Sequence, residues 1–288
     1  MNKSYALIGF PLSHTLSPQI HSCLFALLGD KTSSYKAIEI PRERFLEESE
    51  RLFSYDGFNV TIPYKIPILS MLDKLDISAK RYGAVNTVLC GKGQKRIGYN
   101  TDVDGFLRAL EELGASLHAK VLLLGCGGVG RMMAIETVRA GGALTIAVRD
   151  SSYEKAHSMQ ENILALDNNA KVRIVSIDSI PNESFDLVLN ATPVGMFPNS
   201  QEIPIDSQTL QRVSYLFDTI YNPGQTRLMQ QAKTFGVKTA GGMSMLVWQA
   251  AAAHEIWNSC SFSTKDINQI VEQMQDYVQT FDKNGGKE

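Results

Sequence analysis

Four short stretches of the chain carry residue types and spacings that could do chemistry. The apolar run Lys120-Val121-Leu122-Leu123-Leu124 leads into Gly125-Cys126-Gly127-Gly128-Val129-Gly130, a G-x-G-x-x-G turn. In such a turn the first glycine (Gly125) bends tightly and the second (Gly127) lets backbone N–H groups approach a pyrophosphate. The third (Gly130) lets helix pack closely on strand. The helix that follows presents the free N–H groups and positive dipole end of Gly128 and Val129 to the phosphates. Lys65 stands just past the carboxyl end of a strand, where open α/β sheets bind their ligands. Most lysines are nonetheless solvated surface charges. Asp102 is either favourable charge at a helix start or a catalytic carboxylate at the mouth of a cleft, and spacing leaves both readings open. Thr15 and Ser17 bring two hydroxyls to one helix N-terminus, which suits a carboxylate. From that feature alone, Ser17 as a plain N-cap and Thr15 as a loop residue is the simpler reading.

The elements that must position these residues alternate between strand and helix. Ser4 to Gly9 reads as a first strand and Ser17-Pro18 opens a helix to Leu28, closed by Gly29. A strand from Tyr35 to Ile40, a helix from Glu43 to Phe53 and a strand from Phe58 to Ile62 follow, the last ended by Pro63. Pro67 starts the next helix. Ala84 to Cys90 and Arg96 to Tyr99 form a hairpin across Gly91-Lys92-Gly93. Thr101 to Asp104 then caps a helix from about Val103 to Leu113, ended by Gly114. After the glycine turn and its helix come strands at Leu144 to Val148, Val172 to Val175, Phe185 to Asn190, Tyr215 to Ile220 and Val237 to Thr239. Arg149 and Asp150 lie about 20 residues past the glycine turn, where a cofactor ribose is read. A buried helix from Met243 to Trp257 carries Gln249, and an amphipathic helix from Asp266 to Phe281 precedes a frayed tail, Lys283 to Glu288.

At 288 residues the chain suggests two domains, and 44% hydrophobic with 20% charged residues is the composition of a globular protein. A net charge of −2 gives no reason to expect nucleic acid or an anionic membrane as partner. No apolar run approaches membrane-spanning length, and Met1-Asn2-Lys3 leads straight into a strand without a signal peptide. The four cysteines are scattered and read as reduced thiols in a cytoplasmic protein. The five histidines show no H-E-x-x-H pair and no cluster, so no metal is expected.

Seven stretches, in register across essentially the whole chain, resemble the shikimate dehydrogenase family. They are GFPLSHTLSPQIH (9–21), NVTIPYK (59–65), GAVNT (83–87), NTD (100–102), GCGGVG (125–130), NATPVGM (190–196) and GMSMLVWQ (242–249). The resemblance implies NADPH-dependent reduction of 3-dehydroshikimate to shikimate in aromatic amino-acid biosynthesis. It implies an α/β fold of two α/β domains: a substrate domain with an open, mostly parallel sheet over 1–104 and a Rossmann-like domain over 105–241. Helices over 242–288 pack back on the first domain, and the active site lies in the interdomain cleft. Lys65 and Asp102 fall on the family's catalytic pair. Thr15, Ser17, Asn59, Thr61, Asn86, Tyr221 and Gln249 fall on or near its substrate positions. Thr192 and Gly242 join the glycine turn, Arg149 and Asp150 as cofactor residues.

The residue types suit that chemistry. Hydride reduction of a ketone leaves alkoxide charge, to which Lys65 can donate while Asp102 orients the lysine and holds a substrate hydroxyl. Asn59, Thr61, Asn86 and Gln249 offer partners for a polyol, and Thr15 and Ser17 for its carboxylate. The family commonly has serine where Thr15 stands, so quinate is an alternative substrate. Its NADP members carry Asn-Arg-Thr followed by a further arginine. Here the run is Val148-Arg149-Asp150, Tyr153 takes the second arginine's place, and Ser244 stands where glycine is usual. Arg149, assisted by Lys155, favours NADP, while Asp150 suits an NAD ribose, so NAD is possible. The alternatives are an NAD-dependent quinate/shikimate dehydrogenase and a non-catalytic ligand sensor. The partners expected are small molecules, with the chain acting as a monomer or homodimer.

Overall fold

A computed structural model describes residues 2–12, 15–90, 93 and 95–283. Ser13 and His14 of the first motif, Gly91 and Lys92 of the expected hairpin turn and most of the expected frayed tail lie outside them. The chain divides into two compact units, 1–106 with 247–274, and 107–246 with 275–288.

The first unit is built on six strands: β1 (Ser4–Gly9), β2 (Ser34–Glu39), β3 (Gly57–Val60), β4 (Lys74–Leu75), β5 (Thr87–Leu89) and β6 (Ile97–Tyr99), in the order β2-β1-β3-β5-β6-β4. β1 pairs in parallel with β2 and β3, and β4 with β6, while β5 runs antiparallel to both β3 and β6. The sheet is therefore mostly parallel. Along β1 the side chains alternate. Ala6 and Ile8 join one core with Phe58, Val60 and Val88, while Tyr5 packs with Phe25 and Trp257. The helices of this unit are α1 (Ser17–Leu27), α2 (Phe45–Leu52), α3 (Ile77–Tyr82) and the start of α4 (Asp102–Leu113). β4 and α3 were not foreseen, because a two-residue strand and a six-residue helix leave too little periodicity to read. Pro67 opens only a 3-10 turn, Pro67–Met71.

The second unit holds β7 (Lys120–Leu124), α5 (Gly128–Arg139), β8 (Ala143–Val148), α6 (Tyr153–Leu166), β9 (Val172–Ser176), β10 (Phe185–Asn190), α7 (Ser207–Leu210), β11 (Val213–Asp218), α8 (Arg227–Thr234) and β12 (Lys238–Ala240). All pairs are parallel, in the order β12-β11-β10-β7-β8-β9. Numbered within the unit this is 3-2-1-4-5-6 read from the β9 edge, the order of a dinucleotide-binding sheet. Val121 through Leu124 are fully buried at its centre.

Two further helices end the chain, α9 (Gly242–Asn258) and α10 (Thr264–Lys283). The stretch 242–288, expected to pack on the first domain, is divided between the units. Only 247–274 groups with the first unit, and the chain from Gln275 onward groups with the second. The part of α9 that does join the first unit is fixed by Trp257, whose Nε1 donates to the Val88 carbonyl at 3.0 Å. A Cβ on Gly57 would lie 2.3 Å from that nitrogen, so the indole requires glycine beneath it.

Candidate active site

Lys65 is held from both sides by its neighbours in the chain. The buried Tyr64 hydroxyl donates to the Ile40 carbonyl and its ring stacks on Phe45, while the Val85 N–H donates to the Lys65 carbonyl at 2.8 Å. The Lys65 side chain, 26% exposed, reaches the Asp102 carboxylate, with Nζ 2.6 Å from Oδ2. Such a partly exposed pair contributes only about 0–1 kcal/mol to stability, so its geometry is better understood as serving a site. The other carboxylate oxygen accepts from Asn86 Nδ2 at 2.9 Å. Asn86 cannot turn over, because its Oδ1 accepts the Thr101 backbone N–H at 2.7 Å. Gln249, brought in on α9, places Oε1 3.4 Å from the same amide nitrogen.

Asp102 is the first residue of α4, one earlier than the sequence suggests. Its backbone N–H donates to Asn100 Oδ1 at 3.2 Å, and the Gly105 N–H donates to the Thr101 carbonyl. Asn100 thereby serves the helix start and leaves the Asp102 carboxylate for Lys65 and Asn86. Both features named in the sequence are present: Asp102 starts the helix, and its carboxylate faces Lys65 and Asn86.

A second cluster surrounds Ser17. The structure corrects its expected role as N-cap. Leu16 occupies that position without a side-chain bond, and Ser17 is already helical and buried. Thr15 supplies the local bonds instead. Its Oγ1 accepts the Ser17 N–H at 3.2 Å and donates to Ser17 Oγ at 3.2 Å. With no helix N–H to satisfy, the Ser17 hydroxyl accepts from Thr15 and bonds toward Tyr35. Tyr35, which sequence reasoning missed, donates to Asn59 Oδ1 at 2.7 Å, and Ser17 beside it partly offsets the upward push that burial gives its hydroxyl. Asn59 Nδ2 donates to Thr87 Oγ1 at 3.0 Å and to the Asn86 carbonyl at 3.2 Å, which joins this cluster to the first. Thr61 is half-buried and its hydroxyl has no partner among the described residues. The only early sign of Tyr35 was an aromatic residue in a short strand, which is also what an ordinary core position looks like.

Two of the histidines meet in the fold. His21 and His254, 233 residues apart, lie with Nδ1 and Nε2 at 2.9 Å. Among the described residues, no group of three or more His, Cys, Asp or Glu could hold a metal.

The second unit carries the glycine turn. Gly125 has φ +92°, a conformation side chains rarely adopt. A Cβ on Gly130 would lie 2.7 Å from the Gly125 carbonyl, whereas Gly127 and Gly128 face open space. Gly127 is the N-cap of α5 and has no side chain to occupy the first N–H groups, including those of Gly128 and Val129. This is a cradle that a pyrophosphate fits. Thr192 packs its methyl near Gly125 and donates to Asn190 Oδ1 at 2.7 Å. Arg149 and Asp150 follow β8, both exposed, and Arg149 has no side-chain partner among the described residues. Gly242 donates its N–H to the Ile220 carbonyl at 2.9 Å, and a Cβ there would sit 2.0 Å from the Thr219 carbonyl. Tyr221, one residue on from Ile220, is half-buried, and burial raises its hydroxyl pKa. Tyr221, a substrate candidate, thus belongs to the second unit with the cofactor candidates Thr192 and Gly242, and the other substrate candidates belong to the first.

Residues 7–88 match the model of the shikimate dehydrogenase substrate binding domain. A protein of Methanococcus maripaludis named shikimate dehydrogenase (NADP(+)) is 37% identical over 262 residues, covering 88% of this chain and 91% of its own. A chorismate mutase/shikimate 5-dehydrogenase fusion protein from Clostridium acetobutylicum superposes with a TM-score of 0.86 at 30% identity, covering 97% of this chain and 99% of its own. The shikimate 5-dehydrogenase of Thermus thermophilus, solved with NADP(H) and shikimate, superposes with a TM-score of 0.82 at 30% identity, covering 95% and 99%. The chain belongs to the shikimate dehydrogenase family.

Proposed function

We propose that the chain reduces 3-dehydroshikimate to shikimate, reversibly, with NADPH. The observation that carries this reading is the Lys65–Asp102–Asn86 constellation, a cation held at 2.6 Å by a carboxylate whose other oxygen is held at 2.9 Å. When bound, NADPH supplies the hydride. Lys65 Nζ then donates to the substrate ketone oxygen as negative charge grows on it, and gives up a proton as the alcohol forms. Asp102 fixes the ammonium and takes a substrate hydroxyl. Asn86, Gln249, Asn59 and Thr61 serve the remaining hydroxyls, together with Tyr221. Thr15 and Ser17 take the carboxylate through their hydroxyls.

For the cofactor, Gly125, Gly127, Gly128, Val129 and Gly130 form the phosphate cradle, with Thr192 beside Gly125 and Gly242 as a further cofactor residue. The unpartnered guanidinium of Arg149 favours the 2′-phosphate of NADP over the NAD ribose that Asp150 would suit. The reading places the protein in the cytoplasm. It is supported there by four cysteines that are all free.

The test is a kinetic matrix of shikimate and quinate against NADP and NAD, followed at 340 nm, for the parent and for Lys65→Ala. We expect shikimate with NADP to lead, and Lys65→Ala to lower kcat by about 100-fold or more with a smaller change in KM. Equal or better turnover of quinate with NAD would replace this reading by a quinate-type one. A loss carried only in KM would make Lys65 a binding residue.

A further inference from the structure

The first unit buries two histidines that the proposed reaction does not use. His21 on α1 and His254 on α9 are both fully buried, and their rings meet through Nδ1 and Nε2 at 2.9 Å. The chain of hydrogen bonds behind them determines which nitrogen carries each proton. Asn258 Oδ1 accepts from the Lys3 ammonium at 2.9 Å and from the Tyr5 hydroxyl at 3.0 Å. Its Nδ2 must therefore be the group facing His254 Nδ1, at 3.3 Å, and it donates. His254 then carries its proton on Nε2 and donates it to His21 Nδ1. His21 is left with its own proton on Nε2. That nitrogen is buried and has no hydrogen-bond partner in the described structure.

A buried orphan donor is costly unless something arrives to accept from it. The side chain next to it is Asn59, which partly offsets the fall in the His21 pKa that burial and His254 cause. The His21 ring also lies flat on Tyr35, with centroids 3.7 Å apart and planes 11° apart. Tyr35 in turn bonds Asn59 and stands beside Ser17. The remaining faces of the pair are covered by apolar rings. Phe25, Trp257 and Phe262 meet His254 edge-on, and Trp257 tilts against His21. The charged groups that reach the pair are Lys3 and Asp30, both felt at His254.

We propose that Asn258, His254 and His21 form a buried relay of fixed polarity that positions the carboxylate end of the substrate site. The relay turns the His21 Nε2–H toward Asn59 and locks the Tyr35 ring, and so sets where Ser17, Tyr35 and Asn59 offer hydrogen bonds to an incoming carboxylate. His21 and His254 are positioning residues, with no part in hydride or proton transfer. The inference rests on the proposed shikimate reading for its ligand but not for its polarity.

Two measurements test it separately. Long-range proton–nitrogen NMR spectra of histidine-labelled parent protein, assigned with His21→Gln and His254→Gln, read the tautomers directly. We expect both rings neutral and protonated on Nε2 at pH 7. A proton on Nδ1 of either ring, or a charged ring, overturns the relay whether or not the protein turns over shikimate. The second measurement compares kcat/KM for shikimate and for its uncharged methyl ester in the parent, His21→Phe and His21→Gln. Phenylalanine keeps the stack on Tyr35 and removes the N–H, whereas glutamine can still accept from His254 and donate onward. We expect His21→Phe to lose about 10-fold with shikimate, mostly in KM, and less than about 2-fold with the ester. Glutamine should restore most of that loss. Equal losses on both substrates would make the pair merely structural and overturn the proposal. A parent inactive on shikimate but with both rings protonated on Nε2 would sink the functional reading while leaving the relay's polarity standing.

Discussion

At the scale of single residues, the site works because each polar atom has its direction set by a neighbour that cannot move. Asn86 takes a backbone N–H on its oxygen, so its nitrogen must face Asp102. Asn100 satisfies the N–H of Asp102, so the carboxylate is free for Lys65. Asp102→Asn is therefore expected to keep the fold, since Asn100 and the Thr101 carbonyl still start the helix. It should still lower kcat by about 100-fold, because an amide facing Lys65 no longer holds the ammonium by charge. Circular dichroism and kcat measured on the same preparation check this. An unfolded variant with normal activity per folded molecule would return Asp102 to a structural role. Thr15 and Ser17 show the same economy. The threonine takes the local backbone bond, so the serine hydroxyl turns toward Tyr35 instead of a helix N–H.

At the scale of elements, the strand–turn–helix from β7 to α5 depends on close backbone approach. The carbonyl of Gly125 would meet a Cβ on Gly130 at 2.7 Å, and neither backbone can retreat without moving strand or helix. Gly130→Ala should cost about 1–3 kcal/mol in stability and weaken NADP binding, read by urea unfolding and by cofactor titration. An alanine that leaves both untouched would show that the turn has slack. Where β8 ends, the unpartnered guanidinium of Arg149 makes a separate prediction. Arg149→Ala should lower kcat/KM with NADP by about 10- to 100-fold, the value of hydrogen bonds to a charged group, and leave that with NAD nearly unchanged. Equal effects on the two cofactors would remove Arg149 from recognition of the 2′-phosphate.

At the scale of the whole molecule, each unit buries a titrating group, and the two have opposite signs. In the first unit, burial holds His254 down at about 4 against an ordinary 6.5, and His21 lies well below its ordinary value too. An unfolded chain takes up those protons first as pH falls. The stability they protect is therefore full above about pH 6.5 and is lost as pH drops toward 4. In the second unit, burial raises Asp218 from 3.8 to about 6, while Thr226, Ile220 and Asn190 bond the carboxylate and limit the rise. Its contribution is full below about pH 4 and is lost as pH rises through 6. Both tryptophans, Trp248 and Trp257, lie in the first unit, so their fluorescence reports its unfolding. Urea unfolding followed this way should show the first unit losing about 3 kcal/mol between pH 6.5 and 4 from His254 alone. His254→Gln should flatten that slope. A slope unchanged by the substitution would mean that the ring is not held neutral.

The sequence by itself determined what depends on local chemistry and short spacing. The glycine turn, its buried strand, the helix after it and the position of Lys65 past a strand end were all legible, because period, glycine placement and strand ends are written within about ten residues. The boundaries of α1, α2, α4, α9 and α10 were legible to within two residues, whereas α6 gave no signal that was read. Only the tertiary structure decided which distant groups meet. Gln249 comes to Asn86 and His254 to His21 across 163 and 233 residues, and no window of sequence contains either pair. Tyr35 looked like any strand aromatic until Asn59 and His21 closed on it. Ser17 looked like a cap because Ser-Pro is how helices begin, yet Thr15 met the local need first. The C-terminal helices looked like one body and are divided between two units, because amphipathic periodicity says that a face is buried but not against which partner.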